Sequence, residues 1–323
     1  MDIDGDGILD IVSGCYSRDS KGVDDMAGTF QVLYGNSDGT FRKAQTLNGS
    51  DGKPLLLPGV GENELTKRIC TRQFIVDWDG DGKLDLVTGN FEGGFYWFKG
   101  EGKGKFNPKA EPIMVDGKPL KLPEGGHHSD PFVIDFDGDG DLDLLSGSTD
   151  AGVYIAENVA GKGKPPVLKP FKALIFPAGN EWAHQPGKVL RETDLKRPTY
   201  GCRIWVDDVN GDGKLDILVG DDVTLVSPKN GVSEAEMQKK QAEWQKQFNT
   251  AQQAYSKAMT EIQNAAKEKA AKEGKKLDQN EMMRLADSEA LRKAQQEYSK
   301  VYAKRSDFMT EEMTGFVWLY LQK

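Results

Sequence analysis

The stretch from Phe74 to Gly89 reads FIVDWDGDGKLDLVTG, an apolar run, an aspartate-rich loop and a second apolar run that ends in glycine. Apolar and β-branched residues on both sides of such a loop are typical of two connected β-strands. Within the loop, aspartates occupy positions 1, 3, 5 and 9, and glycines occupy positions 4 and 6. This spacing predicts a strand connection in which several carboxylates converge.

The pattern occurs four times, at residues 2–10, 77–85, 135–143 and 208–216, which we call loops 1 to 4. Strands are predicted before loops 2 to 4, after every loop, and again at 28–34, 94–98, 152–156 and 315–320. These units of about 60 to 75 residues predict a mainly β chain, a β-propeller-like array of four four-stranded blades. Because the first copy begins at Asp2 without its preceding strand, we expect the natural N-terminus to be missing.

The composition of the 323 residues excludes several classes of protein. A hydrophobic content of 37% suits a folded core, and a net charge of -9 disfavours a nucleic-acid partner. No apolar run reaches the roughly 18 residues of a transmembrane helix, and the first residues lack the basic-then-apolar pattern of a signal peptide. Cys15, Cys70 and Cys202 are an odd number without metal-site spacing, so isolated thiols are favoured and any disulfide is left open.

The segment 233–313 differs from the rest, being rich in Ala, Glu, Lys and Gln. It predicts two helices around a break at Gly274, an α-helical hairpin inserted in the last blade, which divides the chain into 1–232, 233–313 and 314–323. Mutual packing in a coiled coil is favoured over an arm for assembly with partners. The predicted seam residues are Met237, Trp244, Phe248, Ala251, Tyr255, Ala258, Ile262 and Ala265 of the first helix, and Leu291, Ala294, Tyr298, Val301 and Phe308 of the second.

The aspartate-rich loops predict up to four structural Ca²⁺ sites. Calcium takes six to eight oxygen ligands, which the oxygens of four side chains, some of them bidentate, and the backbone carbonyl at position 7 can supply. Single acidic turns are common, but four copies with one ligand spacing favour metal binding, and flanking strands exclude an EF-hand. The predicted ligands are Asp2, Asp4, Asp6, Ile8 and Asp10; Asp77, Asp79, Asp81, Lys83 and Asp85; Asp135, Asp137, Asp139, Asp141 and Asp143; and Asp208, Asn210, Asp212, Lys214 and Asp216.

With these loops, about 240 residues of the chain resemble FG-GAP or VCBS repeat proteins, which include the β-propellers of integrin α-subunits. The resemblance implies that the loops join the first two strands of each blade and bind calcium through the residues named above. It also implies an exported protein, an extracytoplasmic module for binding, adhesion or scaffolding. Asn210 departs from the usual Asp but keeps an oxygen ligand.

A second candidate site is predicted at the end of the blades opposite the loops, where an unknown protein or glycan could bind. We expect no catalytic residues, since no triad, phosphate loop or zinc signature is present. A catalytic propeller acting on polysaccharide, as lyase or hydrolase, stays open and requires His127, His128, Arg72 and Arg203 to meet in space. The other residues expected at this end are Tyr16, Cys70, Asn90, Gly126, Trp182, His184 and Cys202.

Overall fold

The computed structural model describes residues 1–15, 28–58, 68–123, 126–177, 188–273 and 288–323. They form two compact units. The first unit comprises Met1–Ala183, Arg197–Val223 and Gly315–Lys323, and the second comprises His184–Lys196 and Thr224–Thr314. No helix in these described ranges is both long and apolar enough to cross a membrane.

The described residues are mainly β, as predicted, with two α-helices. The strands are β1 (Ile11–Gly14), β2 (Phe30–Leu33), β3 (Gln45–Thr46), β4 (Arg72–Val76), β5 (Asp85–Gly89), β6 (Phe95–Phe98), β7 (Gly100–Gly102), β8 (Lys105–Phe106), β9 (Glu111–Pro112), β10 (Met114–Val115), β11 (Lys118–Pro119), β12 (Asp130–Ile134), β13 (Asp143–Gly147), β14 (Val153–Ala156), β15 (Lys172–Ile175), β16 (Arg203–Asp207), β17 (Asp216–Gly220), β18 (Val223–Pro228), β19 (Met309–Thr314) and β20 (Val317–Tyr320). The helices are α1 (Glu234–Glu273) and α2 (Glu289–Ala303).

Four antiparallel sheets make up most of the first unit, in the order that the repeats predict. Sheet A has the strand order β1-β2-β3, sheet B β4-β5-β6-β9, sheet C β12-β13-β14-β15, and sheet D β16-β17-β20. In sheets B to D, the aspartate-rich loop connects the first two strands, whose registers end at pairs such as Val76 with Asp85. The prediction of four strands in every unit is wrong for sheets A and D, each of which has three among the described residues.

Neighbouring sheets share apolar cores because consecutive residues of a strand point to opposite faces. In β5, Leu86 packs in a core with Phe30 of sheet A, whereas Val87 packs in another with Leu144 of sheet C. Leu145 packs in a third core, shared with sheet D. Sheets B and C are thus buried on both faces, which explains the continuous apolar runs after loops 2 and 3.

Glycines at the ends of the strands that follow loops 1 to 3 allow this packing. The backbone of Gly89 lies so close to Ser129 that an added Cβ would be 2.6 Å from the Ser129 Oγ. Gly14 and Gly147 lie equally close to the backbone of Thr71 and Cys202, which precede the first strands of the following sheets. The equivalent Gly220 of sheet D is different, since its Cβ would meet only Arg203 O, at 3.9 Å.

The second unit contains the paired strands β18 and β19 and the two helices. Its core includes Met237 and Trp244 of α1, Val301 of α2, and Phe308. The indole of Trp244 donates to the carbonyl of Val301 at 2.7 Å and stacks on Phe248 at 4.7 Å between ring centroids. The helices therefore pack on each other, as the favoured interpretation predicts.

The structure corrects the helical segment in three ways. Met309–Thr314 is a strand, so the helical range does not extend to Met313. The compact unit also includes residues before 233, because β18 pairs with β19. On α1, Ala266 is buried whereas the predicted seam residue Ala265 is exposed, so the seam shifts by one residue near the end of this helix. The break at Gly274 lies outside the described residues.

Candidate functional site

The four loops share one backbone conformation. Their eight glycines at positions 4 and 6 all have φ between 76 and 94°, a backbone conformation that residues other than glycine rarely adopt. In every loop, the Oδ2 of the first aspartate accepts the N–H of the second glycine at 2.9 Å. The third-position oxygen accepts the N–H of residue 5, and the fifth-position carboxylate accepts the N–H of residue 7.

The aspartate at position 9 connects each loop to the neighbouring strands. One of its oxygens accepts the N–H of loop position 2, as Asp143 does from Phe136 at 3.0 Å. The other accepts an N–H beyond the third strand, as Asp143 does from Asn158 at 2.8 Å. Loops 1, 2 and 4 repeat both bonds. These aspartates are at most 6% exposed, so each is a buried support of its loop; this role was missed in the sequence.

Carboxylate oxygens converge in three loops. In loops 1 and 3 the side chains at positions 1, 3 and 5 place oxygens within 4.8 Å of one another, as do Asp77, Asp79 and Asp85 in loop 2. In loop 4 the backbone network is the same, and the amide of Asn210 donates to Asp212 at 3.2 Å. In loops 1 to 3, three of the four side chains predicted to share a site therefore lie close enough to contact one cation, and loop 4, all of which the structure describes, has no such cluster.

Among the residues that the structure describes, two carboxylate oxygens are buried without any hydrogen-bond partner, namely Oδ1 of Asp77 in loop 2 and Oδ1 of Asp141 in loop 3. Asp141 was expected to contribute only its carbonyl, but its side chain is 4% exposed, and its other oxygen accepts the N–H of Gly161 at 2.7 Å. Burial raises the pKa of this carboxyl, and Asp139 raises it further. A hard, oxygen-seeking divalent cation fits such a donor set.

A lysine lies against the carboxylates of loop 2. Lys99, next to the end of β6, forms ion pairs with Asp79 and, at 3.1 Å, with Asp81. These two hydrogen bonds raise the pKa of the lysine above its ordinary value. Burial raises the pKa of the adjacent Asp85 to about 6. The charge of loop 2 is thus partly neutralised by the protein itself.

The predicted residues at the opposite end of the sheets also come together. Asp130, the first residue of β12, lies 4.0 Å from Arg72 Nε and 3.8 Å from Arg203 Nε. Burial lowers the pKa of His128, and the charges of Arg203, Arg72 and His127 lower it further. The two arginines and the histidine pair thus share one electrostatic environment. Asp130, which joins the arginines, was not singled out in the sequence.

Other residues expected at this end have structural roles. The side chain of Asn90 accepts the N–H of Gly94 at 2.8 Å within a turn. Cys202 is buried, and it is a free thiol like Cys15 and Cys70. Tyr16, Trp182 and His184 lie outside the described residues.

Comparisons with known proteins give one family. Residues 77–146, which contain loops 2 and 3, match the FG-GAP-like repeat. The comparison with curated proteins gave no match. A similar solved structure is that of an Agrocybe aegerita lectin, described as specifically recognising non-reducing terminal N-acetylglucosamine, with 21% identity and a TM-score of 0.37 over 71% of this chain. The chain spans 47% of that lectin chain, about half its length. The match at 77–146 confirms the resemblance that the loops carry: this chain contains an FG-GAP-like repeat.

Proposed function

We propose that this chain is a calcium-stabilised β-propeller-type module that binds a ligand outside the cytoplasm, in adhesion or scaffolding. Ca²⁺ would be held by the side chains at positions 1, 3, 5 and 9 of each loop, together with the carbonyl at position 7. In this proposal the ion is structural, and ligand binding takes place at the opposite end of the sheets.

The observation that carries the calcium proposal is the unpartnered Oδ1 of Asp77, buried within a cluster of three carboxylates. Leaving a buried charged acceptor unpaired is costly, by more than the 1 to 3 kcal/mol of a neutral group. Bringing further carboxylates within 4.8 Å adds repulsion. A divalent cation removes both costs at once, because it is a partner for the free oxygen and neutralises the cluster.

A structural role for calcium follows from the connections of the loops. The ninth-position aspartates hydrogen-bond to backbone beyond the third strand, as Asp85 does to Gly100. Fixing these carboxylates around an ion therefore fixes the connection between three strands. Ion binding would then add directly to folding free energy, as it does for structural metals in general.

The propeller-type arrangement is supported by the equivalent contacts between successive sheets. Phe74 of β4 lies 4.8 Å from Phe132 of β12, which lies 5.5 Å from Trp205 of β16, between ring centroids. The third residue of each of these strands thus contacts the third residue of the first strand in the next sheet. An extracytoplasmic location is supported by the FG-GAP-like repeat, and by the millimolar calcium available there to fill weak sites of about 10⁻⁴ to 10⁻³ M.

Thermal unfolding of the chain in excess EDTA, in Ca²⁺ and in Mg²⁺ tests the proposal. At a free Ca²⁺ concentration ten times Kd, each site adds about 1.4 kcal/mol to the free energy of unfolding. We expect a large rise in Tm with Ca²⁺ and a smaller one with Mg²⁺, which prefers a tighter octahedral site. An unchanged Tm would mean that the loops are acidic turns without calcium.

A matched pair of variants assigns the effect to the loops. Asp77→Asn keeps the size of the side chain but removes the charge of the carboxylate whose Oδ1 has no partner, so about a quarter of the calcium-dependent gain should disappear. Asp38→Asn is the control, because Asp38 is an exposed carboxylate that accepts hydrogen bonds from Thr40 in a turn outside the loops. An equal loss of the calcium response in both variants would contradict the assignment.

A second candidate role, as an enzyme acting on polysaccharide, is favoured by one observation, the convergence of Arg72, Arg203 and His128. Such groups suit an anionic substrate and a proton transfer. Incubation with acidic polysaccharides and detection of new unsaturated or reducing ends tests it. Product formed by the native chain and lost in His128→Asn would establish the catalytic role, whereas bound but unaltered polysaccharide would support the binding role.

A further inference from the structure

Three charged residues begin the first strands of successive sheets. Arg72 begins β4, Asp130 begins β12, and Arg203 begins β16. The Asp130 side chain is 20% exposed and lies between the two guanidinium groups, at 4.0 and 3.8 Å from their Nε atoms. The repeat therefore places a pair of arginines around a single carboxylate at one end of the first unit.

Asp130 does not occupy all the hydrogen-bond donors of the two arginines. The Nε of Arg72 is buried and has no hydrogen-bond partner, although each guanidinium carries five N–H donors. One donor of Arg203 binds the carbonyl of Cys202 at 2.8 Å. Since two positive charges face one negative charge, the cluster keeps a net positive charge and an unpaired buried donor. Both favour an anion with a planar pair of oxygens.

Two histidine rings and a phenylalanine form a cluster near the arginines, whose charges act on His128. His128 is in the left-handed region, with φ 55°, and its buried Nε2 lacks a hydrogen-bond partner. Its ring meets Phe91 edge to face at 4.5 Å, and the ring of the exposed His127 stacks near the same phenylalanine at 6.1 Å. A ligand at the arginines would thus have a ring surface and an unused nitrogen nearby, which suits the C–H face and hydroxyl groups of a sugar.

We propose that Arg72 and Arg203 bind the carboxylate of an acidic sugar, a uronic acid, with Asp130 as the residue that positions both guanidinium groups. Phe91 and the histidine pair would contact the sugar ring. This inference rests on the proposed binding function and names its ligand class. It does not depend on calcium contacting the ligand.

Calorimetric titration of the intact chain in Ca²⁺ tests the inference with two probes, D-galacturonate and D-galactose, which share a ring and differ in the carboxylate. We expect galacturonate to bind at least tenfold more tightly, and its affinity to fall as NaCl is raised. Equal binding of the two sugars, or no binding of galacturonate, would overturn the proposal. N-acetylaspartate serves as a third probe, and binding as tight as that of galacturonate would overturn the assignment to a sugar.

Two variants locate the site. Arg203→Gln and Arg72→Gln should each weaken galacturonate binding at least tenfold, whereas Lys109→Gln, which removes an exposed charge of the same unit, should leave it unchanged. Galacturonate could instead bind a calcium ion in a loop; undiminished binding by both arginine variants would show this and refute the inference.

The failures of the two proposals are distinguishable. A chain that shows the calcium-dependent rise in Tm but no preference for galacturonate contradicts only the sugar site. Each variant is first tested for the same rise in Tm, which shows that it is folded. If an arginine variant does not fold, the comparison of the two sugars and the salt dependence in the native chain still decide the outcome.

Discussion

Replacing Gly89 by alanine tests whether sheets B and C approach each other as closely as described at the end of β5. Gly89 ends β5, and an added Cβ would lie 2.6 Å from both the carbonyl carbon and the Oγ of Ser129, and closer still to the carbonyl oxygen. Carbon atoms in favourable contact are about 3.5 to 4.0 Å apart. The methyl group therefore requires sheets B and C to separate by about 1 Å at this point.

The expected cost has two parts. Overpacking of this kind costs about 1 to 3 kcal/mol. Ser129 Oγ also accepts the N–H of Asn90 at 2.9 Å and donates to Gly94 at 2.7 Å, and displacement weakens two bonds worth about 1 kcal/mol each. We expect Gly89→Ala to lower the free energy of unfolding by about 2 to 5 kcal/mol.

Gly220→Ala is a matched control, because Gly220 ends the equivalent strand β17 but its Cβ would meet only an atom at 3.9 Å. That variant should change stability by less than about 1 kcal/mol, with a gain expected from the reduced freedom of the unfolded chain. Urea unfolding of both variants in Ca²⁺ measures the difference. If Gly89→Ala were within 1 kcal/mol of Gly220→Ala, the close approach of the sheets would be refuted.

Three further predictions concern calcium, pH and the helices. Lys99→Met removes a cation that pairs with Asp79, so Ca²⁺ titration at low ionic strength should show one site tightened on the order of tenfold. Burial raises the pKa of Asp85 to about 6, so the folded protein favours the protonated carboxyl group. The stability that this group contributes is therefore present below pH 3.8 and is lost as pH rises through 6. Urea unfolding in EDTA should show this loss of stability with rising pH, and Asp85→Asn should make the loss smaller. Trp244→Phe removes the hydrogen bond to Val301 and should lower helix stability by about 1 to 3 kcal/mol, measured by circular dichroism.

Controls make these three predictions specific. Lys109→Met removes an exposed lysine that pairs with Glu111 and should leave calcium affinity unchanged. A pH dependence in EDTA that is equal in the native chain and in Asp85→Asn would show that other groups cause it. Trp205→Phe changes a tryptophan that is 57% exposed, so an equal loss from this variant would contradict the role of the Trp244 hydrogen bond.

The strand order and the converging carboxylates were predictable because both depend on local spacing. A short apolar run between an aspartate-rich loop and a glycine identifies strands such as β5, and the glycine positions of the loops fix how the aspartates turn inward. The end of the helical segment was predicted less well. Met309–Thr314 is polar and looks helical in sequence, but pairing with β18 makes it a strand. Such pairing is a long-range contact that overrides local propensity.

The sequence by itself determined the repeated loops, their ligand spacing, the mainly β class and the presence of two helices, because each follows from residues close together in the chain. Only the tertiary structure decided that Lys99 lies on loop 2, that Asp141 buries an unpartnered oxygen, and that Asp130 joins Arg72 to Arg203. These contacts join positions far apart in sequence or depend on which side chain is buried. They are set by how the sheets pack, which the local pattern of one strand does not contain.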